Sequence, residues 1–144
     1  MASVSTYLNF SGKTENAFTF YKTVFGTEFT DKISRFGDIP PAADMPPLPV
    51  ADQNLVMHVG LPILGGHVLM GTDAPECMGF KVTMGNNVYI NLEPDTREET
   101  KKLFTALSAG GQVEQELQDV FWGAYYGSCQ DKFGVKWMFN CVQR

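Results

Sequence analysis

The chain has 144 residues and a formal net charge of −5, a balance that argues against nucleic acid or an anionic membrane as partner. This length suits a single domain, or two half-domains folding together, with room for a core that needs no staples. Cys77, Cys129 and Cys141 are odd in number and lack metal-ligand or redox spacing, so they read as reduced thiols of a cytosolic protein. Met1 to Ser5 has no basic start followed by an apolar stretch, the mark of a signal peptide. The apolar run from Val59 to Met70 is broken by Pro62, Gly65, Gly66 and His67 and is too short to span a bilayer. A cytoplasmic protein without a membrane partner is the expectation.

Val4 to Phe10 alternates as a strand, with Leu8 and Phe10 on one face and Tyr7 and Asn9 on the other. Thr14 to Phe25 follows as a helix, since Ala17, Phe20, Tyr21, Val24 and Phe25 fall at helical spacing and Gly26 suits the left-handed residue past its end. A strand is expected over Phe29 to Phe36. Five of the eight prolines (40, 41, 46, 47 and 49) lie between Asp38 and Asp52, so residues 38–52 are expected to form a long surface loop. Strands over Leu55 to Leu61 and His67 to Thr72 turn at Leu64-Gly65-Gly66. Residues 1–73 thus make a first module and 74–85 a joint.

The second module, 86–144, opens with a strand over Val88 to Leu92. Asp95 with Glu98 three residues on marks a helix start, and Leu103, Phe104 and Leu107 form its apolar stripe before Gly110-Gly111. Glu114 to Trp122 and Ala124 to Gln130 read as a hairpin, and Asp131-Lys132-Phe133-Gly134 as a turn. Val135 to Val142 is the last strand, with Val135, Trp137 and Phe139 on one face and Lys136, Met138 and Asn140 on the other. The first and second modules repeat one another: Tyr7-Leu8-Asn9-Phe10 returns as Tyr89-Ile90-Asn91-Leu92, shifted by 82 residues (89 minus 7). Two copies of one strand–helix–three-strand unit imply a paired architecture with a shared groove, and Tyr7, Asn9, Tyr89 and Asn91 are assigned to its concave face.

Motifs characteristic of a known family stand at Tyr7-Leu8-Asn9-Phe10, Ala17-Phe18-Thr19-Phe20-Tyr21 with Val24-Phe25-Gly26, and Leu69-Met70-Gly71-Thr72-Asp73. They continue in Phe121-Trp122-Gly123 and in Asp131-Lys132-Phe133-Gly134-Val135-Lys136-Trp137-Met138. In their order and spacing these resemble the PhnB-like branch of the vicinal oxygen chelate superfamily, which includes glyoxalase I, bleomycin-resistance proteins and extradiol dioxygenases. The resemblance implies an α+β fold: two βαβββ modules pairing into a cupped mixed sheet around a cavity, commonly within a homodimer. It also implies, for the metal-dependent members, a divalent ion held by His, Gln or Glu on the first and last strand of each module. This chain departs from that pattern. Its first strands offer Thr6 or Tyr7 and Tyr89. Met138 stands four residues beyond Gly134, where those enzymes place a glutamate, and Met70 is taken as its equivalent in the first module. Thioethers and phenols are poor ligands for hard or borderline ions, so no cofactor is expected, with a divalent metal as the alternative.

Any general-base or metal argument must use His58 or His67. His58 lies in a strand and reads as a structural, hydrogen-bonded residue or as a cavity donor, and His67 as an exposed strand end. Glu114, Glu116 and Asp119 read as the solvated side of an amphipathic strand. Trp122, Tyr125 and Tyr126 beside Gly123 and Gly127 read either as packing or dimer contact or as aromatics at a cavity mouth. No G-x-G-x-x-G turn exists, so the methyltransferase activity often attached to PhnB-like chains finds no support in these residues.

The expected function is binding of a small, partly apolar molecule in a metal-free cavity. Tyr7, Asn9, Tyr89, Asn91, Lys136, Met138 and Asn140 would line it, with Met70 and Trp122 at its sides. The alternatives are a metal-dependent or His58-based lyase, isomerase or dioxygenase, with Tyr89 or Lys136 stabilising an oxyanion, and an interaction scaffold using loop 38–52.

Overall fold

The computed structural model describes residues 1–40 and 48–142. Within it the chain forms two compact units, Met1–Thr83 and Met84–Arg144. The first contains β1 (Thr6–Phe10), α1 (Thr14–Phe25), β2 (Ser34–Arg35), β3 (Val56–Pro62) and β4 (Val68–Asp73). The second contains β5 (Ile90–Leu92), α2 (Arg97–Ser108), β6 (Gln112–Asp119), β7 (Tyr125–Gln130) and β8 (Lys136–Cys141). Each unit is a four-stranded mixed sheet, ordered β1-β4-β3-β2 and β5-β8-β7-β6. In both, the first strand lies parallel to the last and the other pairings are antiparallel. The sequence repeat is therefore a repeat of βαβββ topology.

Each sheet has one face under its helix and one open face. In the first unit Phe10, Val59, Leu61 and Leu69 are buried together with Ala17, Phe18 and Tyr21 of α1, which packs over β3 and β4. Gly71 lets the helix come this close, because a Cβ there would stand 2.5 Å from Phe18 Cε1. In the second unit Leu92, Cys129, Trp137, Phe139 and Cys141 are buried beneath Leu103, Phe104 and Leu107 of α2. The expected sidedness of the last strand holds: Trp137 and Phe139 are fully buried, whereas Lys136, Met138 and Asn140 are half-buried.

Two buried carboxylates organise the strand ends. Asp73 Oδ1 accepts from the Thr14 backbone N–H (3.0 Å) and the Thr14 hydroxyl (2.7 Å), and its Oδ2 accepts from the Val56 N–H (2.9 Å). Asp131 Oδ1 accepts from the N–H groups of Phe133 and Val135, and its Oδ2 from Trp137 Nε1 at 2.8 Å.

Helix α1 has the expected bounds, and Gly26 closes it in the left-handed conformation at φ 66°. Other elements differ from expectation. Regular pairing in β2 covers only Ser34–Arg35, not 29–36, because the register shifts at these two residues and Thr30 instead bonds the Gly60 carbonyl. The cap of α2 is Thr96, whose side chain accepts from the Glu99 N–H at 3.0 Å. Asp95 and Glu98 fit the same pattern one residue earlier, but Thr96 also takes the Thr100 hydroxyl on its carbonyl and so anchors the buried stripe. Strand β6 ends at Asp119, and Phe121 and Trp122 belong to the following turn. Of the expected loop 38–52, residues 41–47 lie outside the described residues, and short 3₁₀ turns form at Phe36–Asp38 and Val50–Asp52.

Cys129 and Cys141 are fully buried and Cys77 is exposed. Burial pushes the Cys129 thiol up to about 12. The Asp52 carboxylate accepting from the Cys77 thiol (3.1 Å) raises that group too, the opposite of thiolate activation. A thiol-specific reagent at pH 8 should therefore titrate one group in the native protein, slowly, and all three in urea. Removing the Asp73 carboxylate leaves two backbone donors unmet, so Asp73→Ala should cost about 3 kcal/mol in urea denaturation. The exposed control Asp31→Ala should cost less than about 0.5 kcal/mol.

Candidate functional site

The open face of the second sheet holds the densest set of functional groups. Strand alternation puts Lys136, Met138 and Asn140 of β8 on it, opposite Gln130, Ser128 and Tyr126 of β7. Asn91 lies beside Met138 in the parallel β5–β8 pair. One step back in that register brings Tyr89 to Lys136, whose ammonium sits 5.5 Å from the Tyr89 ring centroid. Glu114 completes the group. It accepts from the Tyr89 hydroxyl through Oε1 at 2.9 Å and from the Lys136 ammonium through Oε2.

Glu114 sits at an irregularity in the ladder. Val113 pairs with Cys129 and Gln115 with Ser128, so Glu114 is an extra residue on β6. A bulge of this kind re-aims a side chain. Here the carboxylate of the edge strand meets residues of β8 and of the segment entering β5. Glu114 lies on an exposed strand, as expected of the solvated side of β6, yet its carboxylate is engaged by Lys136 and Tyr89. Its side chain is 27% exposed and that of Lys136 11%. The Lys136 hydrogen bond, aided by that from Tyr89, holds the Glu114 carboxyl below its ordinary range, while Glu114 raises both Lys136 and Tyr89. Lys136 also borders a cleft of ≈ 430 Å³ lined by Met84, Gly85, Asn86, Gln130 and Gly134.

The first sheet carries a different set on its open face. Tyr7 lies beside Met70 and Asn9 beside Thr72 in the β1–β4 register. The Tyr7 hydroxyl is 3.3 Å from His58 Nδ1, with the rings 5.9 Å apart, and partial burial raises the Tyr7 phenol. His58 is therefore a hydrogen-bonded residue on the face that also carries Tyr7. His67 differs from expectation: it is half-buried, with Nε2 2.9 Å from the Thr6 hydroxyl.

The sheet registers also correct the proposed equivalence of Met70 and Met138. Asn9 and Asn91 correspond in the repeat, and they lie beside Thr72 and Met138 respectively. Met70 thus corresponds to Lys136, and Thr72 to Met138. Of the other expected lining residues, Asn91 donates to Glu93 (3.1 Å) and Trp122 is 53% exposed at the β6–β7 turn. Tyr125 is separated from Trp122 and Tyr126, buried on the helix side with the Arg97 guanidinium 3.9 Å from its ring centroid. Sequence reading missed Glu114 as a site residue, together with Ser128, Gln130 and Thr72. Strict alternation along β7 and β4 would have found the last three.

The superfamily's metal ligands would stand on the first and last strands of each module. Those strands offer Tyr7, Met70, Thr72, Tyr89, Met138 and a lysine already bonded to Glu114. Phenols, thioethers and an ammonium do not fit a divalent ion. Among the described residues no three His, Cys, Asp or Glu side chains converge as a ligand set.

Topology defines the class: an α+β protein built of two βαβββ units. The chain belongs to the family described as 3-demethylubiquinone-9 3-methyltransferase, whose model matches residues 2–139. It is 31% identical to protein YjdN of Escherichia coli strain K12, over 98% of this chain and 96% of that one. Among solved structures it is similar to protein PA1353 from Pseudomonas aeruginosa, at 32% identity and a TM-score of 0.84 over 100% of both chains. A putative 3-demethylubiquinone-9 3-methyltransferase, PhnB protein, from Bacillus cereus matches at 25% identity and a TM-score of 0.75, over 97% of this chain and 99% of that one. A glyoxalase/bleomycin resistance protein/dioxygenase family enzyme from Burkholderia phytofirmans PsJN shares the fold at 20% identity and a TM-score of 0.62, over 96% of this chain and 98% of that one. Among the described residues no helix is long and apolar enough to cross a membrane.

The Glu114–Lys136–Tyr89 cluster has a signed pH dependence. A carboxylate with a depressed folded-state pKa adds stability above its unfolded value, about 4.3, and loses it as pH falls through the folded one. Thermal melts should show a wild-type Tm that drops more steeply below pH 4.5 than that of Glu114→Gln. Equal slopes would mean that the carboxylate is not held by Lys136.

Proposed function

We propose that this protein binds a small, partly apolar molecule on the open face of its second sheet, in a cavity that works without a metal ion. The observation that carries the reading is the cleft of ≈ 430 Å³ against Lys136, on a face where Met138 lies next to the Lys136–Glu114–Tyr89 cluster. That volume falls within the range of small-molecule sites, which combine apolar walls with a few placed polar groups. Met138 supplies an adaptable apolar surface. The Tyr89 hydroxyl, the Gln130 amide and the Lys136 ammonium would orient the ligand. Tyr7, Asn9, Met70 and His58 form a second, more neutral surface on the first sheet. The protein would act in the cytoplasm as a homodimer, a state consistent with apolar side chains left exposed at Val88, Phe121 and Trp122. Its reduced thiols fit the same compartment.

A fragment screen by thermal shift tests this reading. Ligands at one hundred times their Kd should raise the wild-type Tm by about 5–10 °C. Met138→Glu and Lys136→Met should lose that shift while keeping the unliganded fold. Elemental analysis after incubation with zinc, nickel, manganese and iron(II) should find no ion near one per chain. A stoichiometric ion, or ligand shifts insensitive to both substitutions, would overturn the proposal.

A further inference from the structure

The far end of the same sheet face carries features that the Lys136 cluster does not use. Tyr126 of β7 pairs in register with Asn140 of β8, four residues or roughly 13 Å along the strand from Lys136. From Tyr126 a row of rings leads outward. Its ring centroid is 5.8 Å from that of Trp122, and Trp122 is 5.0 Å from Phe121, both pairs edge-to-face at 68° and 89°. Phe121 is 97% exposed and Trp122 53%. The turn itself does not need these rings. It is closed by main-chain bonds from the Gly123 N–H to the Val120 carbonyl and from the Val120 N–H to the Ala124 carbonyl. Turns are ordinarily built from Gly, Asn, Asp, Ser and Pro, so two large aromatics here call for another reason.

Asn140 supplies an independent pointer. Its Oδ1 is sealed from solvent and has no hydrogen-bond partner among the described residues. A buried acceptor left in this state is costly and rare, and an arriving donor relieves it. The last torsion of an asparagine is soft, so the amide can turn toward such a donor. An aromatic row beside an unmet acceptor selects for one kind of guest.

We infer that Phe121, Trp122, Tyr126 and Asn140 form a subsite for a planar aromatic ring bearing an N–H or O–H donor. The inference rests on the small-molecule reading above and names the ligand class for this end of the face. The ring would pack on the exposed aromatics of the turn, and its donor would meet Asn140 Oδ1.

Indole and benzofuran test this directly, since they share one bicyclic shape and only indole carries an N–H. Both are titrated into uniformly ¹⁵N-labelled full-length protein and followed by heteronuclear NMR. Shifts should concentrate on residues 120–126, the Trp122 indole and the Asn140 side-chain amide. Indole should bind about tenfold more tightly than benzofuran, the worth of one well-made hydrogen bond. Asn140→Ala, which removes the acceptor without adding volume, should erase that preference, and Trp122→Ala should weaken both probes. Equal affinities in the wild type, shifts elsewhere, or no binding of either probe would overturn the inference. So would a Trp122→Ala variant that turns dimer into monomer in sedimentation yet binds indole unchanged, because the turn would then be a contact between copies. If these probes fail while fragments still respond to Met138 and Lys136 substitutions, the broader reading stands and only this subsite falls.

Discussion

The first unit depends on a single buried carboxylate. Asp73 ends β4, lies beside Phe10 at the end of β1, and holds the first residue of α1 and the first residue of β3. Three elements separated by long stretches of chain are thereby fixed at one point, with the Thr14 hydroxyl as a further donor. Buried backbone donors at a helix start and a strand start would otherwise be unmet, and a carboxylate with two oxygens answers both. Because α1 is pinned at this end, Phe18 lies against Gly71, and Tyr7 and Asn9 are left on the opposite face. The open face is a consequence of where the helix is tied.

The second unit repeats the topology with other chemistry. Its register counterpart of Asp73 is Phe139, since Phe10 and Leu92 correspond and lie beside these two residues. The organising carboxylate is instead Asp131, in the turn before β8, where it fixes the Trp137 ring through Nε1. The open faces have diverged in the same way. Met70 in one stands where Lys136 stands in the other, and His58 where Ser128 stands, as the β3–β4 and β7–β8 pairings require. The first face is a tyrosine–histidine pair beside a thioether. The second is a charged cluster with an aromatic end. Two copies of one scaffold are therefore not two copies of one site, and the acidic partner that neutralises Lys136 exists only in the second.

Much of the scaffold was legible in the sequence. The Tyr-x-Asn repeat announced two units, the 3.6-residue spacing of Ala17 and Tyr21 placed α1, and strict alternation sorted Trp137 and Phe139 from Lys136 and Met138. These patterns are local, and burial enforces them residue by residue. What failed was register. Whether Asp95 or Thr96 caps α2 depends on which side chain receives the backbone N–H three residues on, here that of Glu99 at Thr96, and the span of β2 depends on pairing with β3. The matching of Met70 to Lys136 needed the β1–β4 and β5–β8 ladders, because counting from glycines misses by one side-chain pair.

Glu114 is the sharpest case of this limit. In an unbroken β6, Glu114 and Glu116 would share a face, and a run of Gln and Glu with that spacing describes a wetted edge strand well. One inserted residue lies between the Cys129 and Ser128 pairings, and the strand stays exposed at every position but Leu117. A bulge leaves no composition signature here, with neither glycine nor proline to mark it. The Glu114 carboxylate beside it is held from outside the strand, by the Lys136 ammonium and the Tyr89 hydroxyl. Alternation from Gln112, which lies opposite Gln130, already puts Glu114 on the face of Lys136. What the strand alone does not show is the cross-strand partner: the carboxylate is the counter-charge of a lysine side chain 11% exposed. The functional character of this face thus arises from contacts between strands, which the alternation within any one strand does not reveal.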